Sequence, residues 1–169
     1  MKKILFIYFI LIFFTSYSQV TSEKLKAISI IESLSYEETM FMGAKVINTY
    51  KINYEDSTRK VEIIWKSLFP DESSIIHKDT FYIDDLDLNT IEENLTDTEK
   101  SGLFSPTIRV KAKGKLIRHD VINEDKNNVL ENSSKTEYSE YIAIFPGMKV
   151  LPRLHAERFN TNVKILLYN

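Results

Sequence analysis

The chain has 169 residues, with 22 lysine and arginine residues against 24 aspartate and glutamate residues and no cysteine. This length is typical of one domain with a single hydrophobic core, and the missing cysteines exclude disulfides, a cysteine nucleophile and a lipid anchor on an N-terminal cysteine. A formal net charge of −2 gives no general electrostatic attraction to nucleic acid, so we expect no nucleic-acid partner.

Residues 1–18 have the pattern of a secretory signal peptide. Lys2 and Lys3 precede an apolar run over residues 4–14, and serines at 16 and 18 supply the small residues that a signal peptidase recognises. An uncleaved membrane anchor is the alternative, but this run is well short of the roughly 20 residues that cross a bilayer. We therefore expect cleavage after Ser18, an exported protein that is periplasmic or secreted, and no transmembrane span after cleavage.

Residues 19–44 are predicted to form an N-terminal helical segment. Thr21 or Ser22 can cap a helix, and a negative charge at Glu23 is favoured in its first turn. Apolar residues then recur at every third position, and the helix is expected to end near Ser35. The recurring residues are Leu25, Ile28, Ile31 and Leu34.

Residues 45–169 are predicted to form one domain that begins with antiparallel strands. Apolar and polar residues alternate on both sides of a turn at 55–58, which indicates two strands between Lys45 and Trp65. Residues 68–80 contain Pro70 and a polar cluster, so we expect a loop there, followed by a strand at 81–83.

The stretch 81–91 is acidic and invites comparison with a calcium-binding loop. The first three ligand positions of an EF-hand would be filled by Asp85, Asp87 and Asn89. Thr90 stands where that loop needs glycine, however, and Thr96 stands where it needs a bidentate glutamate. We therefore expect no metal site and interpret the stretch as a connecting turn with solvated carboxylates.

A hairpin over residues 107–122 gives the clearest strand pattern. Ile108, Val110 and Ala112 point to one side, basic residues point to the other, and Gly114 allows the turn. Five basic residues could bind an anionic ligand, with His119 beside them. They are Arg109, Lys111, Lys113, Lys115 and Arg118. We call these five residues the basic ladder. The alternative, which the pattern favours, is a solvated hairpin face whose lysines discourage edge-to-edge pairing.

The last third of the chain combines a polar loop, a strand and a helix. Residues 123–136 are expected to be a mobile loop, 138–145 a strand and 152–169 an amphipathic helix. The apolar stripe of this helix comprises Ala156, Phe159, Val163 and Leu166. We expect Asn160 to face water and His155 to be half-buried beside the stripe.

The order of the 81–91 segment, the 107–122 hairpin, the 138–145 strand and the 151–159 helical segment resembles small secreted bacterial proteins with a pleckstrin-homology-like fold. The expected fold class is α+β. The resemblance implies a bent antiparallel sheet or partly open β-barrel of about six to seven strands, capped by the C-terminal amphipathic helix, with a short N-terminal helix before it. It also implies a binding module without catalytic residues. Phosphoinositide binding is not implied, since the first hairpin lacks a Lys-x-Arg arrangement.

Catalytic motifs are missing from the sequence. It has no Gly-x-Ser-x-Gly turn and no phosphate-binding glycine loop, and His77, His119 and His155 stand singly. We therefore predict no enzyme activity and no cofactor.

The predicted function is an exported binding or scaffold module whose partner is another protein or an anionic ligand. The alternative is a periplasmic immunity or inhibitor protein that neutralises a toxin enzyme. Its contacts would be the acidic segments 71–72, 84–87 and 123–132.

Overall fold

The computed structural model describes residues 22–41, 43–98, 102–114, 116–124, 135–147 and 149–168. The predicted signal peptide, Lys115 and most of the predicted loop at 123–136 lie outside these residues. The described chain is α+β, as predicted, with helices α1 (22–35) and α2 (Arg153–Tyr168) and ten strands.

The strands form two antiparallel sheets. In spatial order, the first sheet contains β1 (Glu37–Phe41), β2 (Ala44–Glu55), β3 (Lys60–Leu68), β4 (Ser74–Tyr82), β7 (Ile117–Glu124) and β8 (Lys135–Ser139). The second sheet is built on β6 (Leu103–Ala112), which pairs with β5 (Leu86–Asp97), β9 (Tyr141–Ile144) and β10 (Leu151–Pro152).

The two sheets are halves of one strongly bent layer. β4 continues into β5 through a 3-10 turn at Ile83–Asp85, β6 continues into β7 past Gly114, and β8 continues into β9 at Glu140. The strands therefore keep the same neighbours across the bend. As described, β6 and β7 belong to different sheets and do not pair with each other, so the hairpin predicted over residues 107–122 was wrong. The bent antiparallel sheet is confirmed, with more strands than expected. Among the described residues the end strands β1 and β8 do not pair with each other, so the layer is not closed into a barrel.

Helix α2 packs against the second sheet through its predicted stripe. Ala156, Phe159, Val163 and Leu166 are fully buried, which confirms the prediction made from their spacing. The expectation for Asn160 was wrong. Its side chain is buried because Nδ2 donates hydrogen bonds to the Glu93 carboxylate at 3.3 Å and the Asn94 carbonyl at 3.4 Å on β5.

The expectation for His155 was also wrong, since this side chain is exposed. Position 155 lies about 100° around the helix from Ala156, which is enough to turn it away from the sheet.

Helix α1 covers the edge of β2 that extends beyond β1. Its end at Ser35 is confirmed, and Glu32 accepts a hydrogen bond from the Ile52 backbone N–H at 2.7 Å. Leu25 does not join the buried face and is 57% exposed. Lys24 is buried instead, because its ammonium group donates to the Tyr54 hydroxyl at 3.1 Å.

Two predicted connections are strands in the structure. The loop expected at 68–80 is reduced to residues 69–73 because β4 begins at Ser74, and the turn expected at 81–91 is mostly β5. Because β4 contains polar residues such as Lys78 and Thr80, its sequence lacks the alternation of apolar and polar residues that predicts a strand. Pairing with β3 on one side and β7 on the other stabilises the strand despite this composition.

Neither helix of the described chain combines the length and the apolar composition that crossing a bilayer requires.

Candidate functional site

The described residues of the basic ladder lie in separate parts of the structure. Arg109 and Lys111 lie on the exposed side of β6, with their cationic groups 4.2 and 5.9 Å from the ring centre of Tyr141 on β9. Their cross-strand neighbours on β5 are acids, Glu92 opposite Arg109 and Asp87 opposite Lys111. Directly opposite residues share a face of the sheet, so these carboxylates offset the positive charge.

The other described members of the ladder contact different groups. The Lys113 ammonium group donates to the Asp84 backbone carbonyl at 3.2 Å. Arg118 binds the carboxylate of Asp120 at 2.9 Å on the outer face of the first sheet. The four described basic residues therefore do not form one continuous cationic surface. Lys115 lies outside the described residues, and anion binding by the ladder stays a prediction.

Arg118 also lines a cavity of about 370 Å³ at the bend, together with Lys60. Both cations already have acidic partners, because the Lys60 ammonium group lies 2.9 Å from the Glu62 carboxylate. Lys78 contacts the same Glu62 oxygen at 2.9 Å, and hydrogen bonds from these two lysines lower the pKa of Glu62 to about 2. The charge of this cavity is thus largely neutralised within the protein.

The acidic segments of the inhibitor alternative lie at opposite ends of β4. Asp71 and Glu72 are in the turn before this strand, and Asp84 and Asp85 are in the 3-10 turn after it. A nine-residue strand is about 30 Å long, so the two segments do not form one surface. Most of the third segment, 123–132, lies outside the described residues.

A second cavity, of about 280 Å³, opens between the first sheet and residues 143–147. Its apolar and aromatic walls are formed by Tyr50, Ile63, Trp65, Ala143 and Phe145. Its polar wall is formed by His77, Asp79 and His119, and Gly147 completes the lining. We call this cavity the Trp65 pocket.

Strand register assembles the wall of the pocket. Tyr50, Trp65 and His77 are partners in one row across β2, β3 and β4. Two residues further along the strands, Ile63, Asp79 and His119 are partners in the next row, across β3, β4 and β7. Residues two apart on a strand point to the same face, so both rows lie on one side of the sheet.

The polar groups of the pocket contact one another. His119 Nδ1 lies 2.5 Å from Asp79 Oδ1, and the ring centres of His119 and His77 are 5.8 Å apart. His77 in turn stacks on the Trp65 indole at 5.1 Å, with 22° between the ring planes. The two histidines, which stand singly in the sequence, are therefore neighbours in space. Among the described residues, no three His, Asp or Glu side chains lie close enough together to hold a metal ion.

Burial makes the pocket unfavourable for charge. Burial lowers the pKa of His77, and the nearby His119 lowers it further. Burial also raises the pKa of Asp79, although the hydrogen bond from His119 acts in the opposite direction. Burial, followed by the Asp79 carboxylate, raises the pKa of the Tyr50 phenol. His77 and Tyr50 are therefore neutral near pH 7.

Three polar groups in the pocket have no hydrogen-bond partner within the described part of the chain. The Trp65 indole N–H is buried without an acceptor. The Tyr50 hydroxyl, on a side chain only 9% exposed, and the His77 ring nitrogens also lack partners there. The backbone of Gly147 packs closely against the Trp65 indole. A Cβ at position 147 would lie only 3.3 Å from Trp65 Nε1, so glycine permits this contact.

His119 was predicted to act together with the basic ladder, but the other residues of the Trp65 pocket were not predicted to form a site. The available signal was local: His77 and Asp79 are two residues apart, as strand neighbours on one face must be. No local pattern indicates that β7 pairs with β4 and brings His119 beside Asp79.

No protein-family model, curated protein or solved structure matches this chain.

Proposed function

We propose that the protein is an exported, non-catalytic binding module whose ligand site is the Trp65 pocket. The observation that supports this most strongly is the combination of three aromatic side chains, Trp65, Phe145 and Tyr50, with a few fixed polar groups in one cavity. Small-molecule sites have this composition: they are concave and mostly apolar, with a small number of polar groups that orient the ligand.

Binding is favoured over catalysis by the chemistry of the lining residues. Among the described residues that line the pocket there is no serine, threonine, cysteine or lysine to act as a nucleophile. Tyr50 is a poor nucleophile because its raised pKa keeps the phenol protonated. The carboxylate of Asp79 is engaged by His119.

The pattern of residues 1–18 supports export. The bent sheet with its C-terminal helix is the arrangement that the pleckstrin-homology-like resemblance implied, and proteins with that fold generally bind rather than catalyse. We prefer this function to the toxin inhibitor because the described acidic segments at 71–72 and 84–85 lie at opposite ends of β4. A small ligand, by contrast, needs only the one pocket.

Trp65 makes the proposal directly testable, because it is the only tryptophan in the chain and gives the only indole N–H signal in a ¹⁵N correlation spectrum. The experiment titrates the mature protein with benzamide, benzoate, methyl glucoside and inorganic phosphate in turn. We expect at least one probe to shift the indole signal with saturation and to be recovered chemically unchanged.

A pocket-filling variant provides the matched comparison. Ala143→Phe places a ring in the cavity from an exposed position on β9, so binding should be lost while the fold is kept. Leu154→Phe adds a ring at a site on α2 that is 73% exposed and should bind as the wild type does. If no probe shifts the wild-type signal, or if Ala143→Phe binds equally well, the pocket is not the ligand site.

A further inference from the structure

The charge of the Trp65 pocket restricts what it can bind. Among the described lining residues there is no lysine or arginine, and the one carboxylate, Asp79, is already engaged by His119. An anion would lose its hydration without gaining a cationic partner, and a cation would have to compete with His119 for Asp79. Because burying an unpaired charge is costly, this arrangement favours an uncharged ligand.

The walls restrict the shape of the ligand. Phe145 meets the Trp65 indole edge to face, with 71° between the rings and 6.5 Å between their centres, while His77 stacks on the same indole. At about 280 Å³ the cavity is slightly smaller than a typical site for a drug-sized ligand, which suits one or two fused rings. Aromatic walls at these angles offer stacked and edge contacts to a flat ring.

The unpaired polar groups restrict its functional groups. The Tyr50 hydroxyl and the neutral His77 imidazole can each donate or accept a hydrogen bond, and neither has a partner among the described residues. A ligand with one donor and one acceptor would satisfy both. A monosaccharide carries several hydroxyl groups, and in this pocket most of them would be buried without partners.

We infer that the Trp65 pocket binds a neutral, flat aromatic or heteroaromatic ring that carries one hydrogen-bond donor and one acceptor. This inference rests on the proposed function and adds the chemical class of the ligand. Ring stacking holds the plane of the ligand against Trp65 and Phe145, and its polar edge pairs with Tyr50 and His77.

Benzamide and benzoate test the inference because they have nearly the same shape but differ in charge. At pH 7.5 we expect benzamide to bind at least fivefold more tightly than benzoate, as measured from the shift of the Trp65 indole signal. Methyl glucoside should bind more weakly than benzamide.

Two conservative variants test the polar contacts. Tyr50→Phe and His77→Phe keep a ring at each position and should each weaken benzamide binding about fivefold through loss of one hydrogen bond. Tyr82→Phe removes a hydroxyl from a side chain that is 43% exposed and outside the pocket, and should have no effect.

The outcomes separate the two proposals. Benzoate binding as tightly as benzamide would overturn the neutral-ligand inference, and tighter binding of methyl glucoside would overturn the flat-ring inference, yet either result would leave the pocket as a ligand site. Unchanged benzamide binding in both Tyr50→Phe and His77→Phe would overturn the assigned polar contacts. Failure of every probe would overturn the proposed function itself.

Discussion

At the scale of single residues, His77 connects the stability of the protein to the properties of the pocket. Its ring lies between the Trp65 indole and the His119 imidazole, and burial lowers its pKa. The groups that face it are Asp79 on the same strand, His119 on β7 and Tyr50 on β2. Only Asp79 opposes the shift, and its carboxylate is shared with His119.

This arrangement predicts a loss of stability in mild acid. Because the pKa of His77 is lower in the folded state, its contribution to stability is present above the unfolded value near 6.5 and is lost as the pH falls below it. The raised pKa of Asp79 acts in the opposite sense, since its contribution is present in full below the unfolded value near 3.8 and is lost as the pH rises from there through the folded value.

Urea unfolding at pH 7.5, 6.5 and 5.5 measures the effect. The free energy of unfolding of the wild type should fall across this series, and His77→Phe should show a smaller fall because it removes one titrating group. A variant as sensitive to pH as the wild type would show that His77 does not carry the effect.

At the scale of elements, α2 and β4 show what local pattern can and cannot predict. The buried stripe of α2 follows from the 3.6-residue period alone, so Phe159 was placed correctly. Asn160 was not, because its burial depends on acceptors that β5 supplies. β4 was missed for a related reason: its polar residues are stabilised by strands on both sides, which sequence alternation does not show.

The packing of α2 can be tested by truncating its central residue. Phe159→Ala should lower the free energy of unfolding by about 3–5 kcal/mol, since this ring is fully buried and its removal leaves a cavity. Leu154→Ala on the same helix should change it by less than about 0.5 kcal/mol, because that side chain is 73% exposed. Equal effects in urea unfolding would show that α2 does not pack as described.

At the scale of the whole molecule, the bend of the sheet creates the Trp65 pocket. The rows across β2, β3, β4 and β7 provide the polar and aromatic wall, and the chain that leaves β9 returns over it through Phe145 and Gly147. The α+β class could be predicted from the strand and helix patterns, and the bent sheet was implied by the resemblance to the pleckstrin-homology-like fold. The pocket could not be predicted, because it depends on the pairing of strands far apart in the sequence.

The proposed export concerns the whole chain and can be tested separately from binding. In bacterial cells that express all 169 residues, we expect the protein outside the cytoplasm with Gln19 as its first residue, as determined by intact mass. Ile10→Arg interrupts the apolar run and should leave the chain uncleaved in the cytoplasm. Full-length wild-type protein found only in the cytoplasm would refute the signal peptide.

The most direct test of the account locates a bound ring in the structure by intermolecular nuclear Overhauser effects. With benzamide bound to labelled protein, we predict contacts from its ring protons to the Ala143 methyl group and to the Trp65 indole. Contacts confined to the surface near Tyr141, or to the cavity lined by Lys60 and Arg118, would contradict the assignment of the Trp65 pocket as the ligand site.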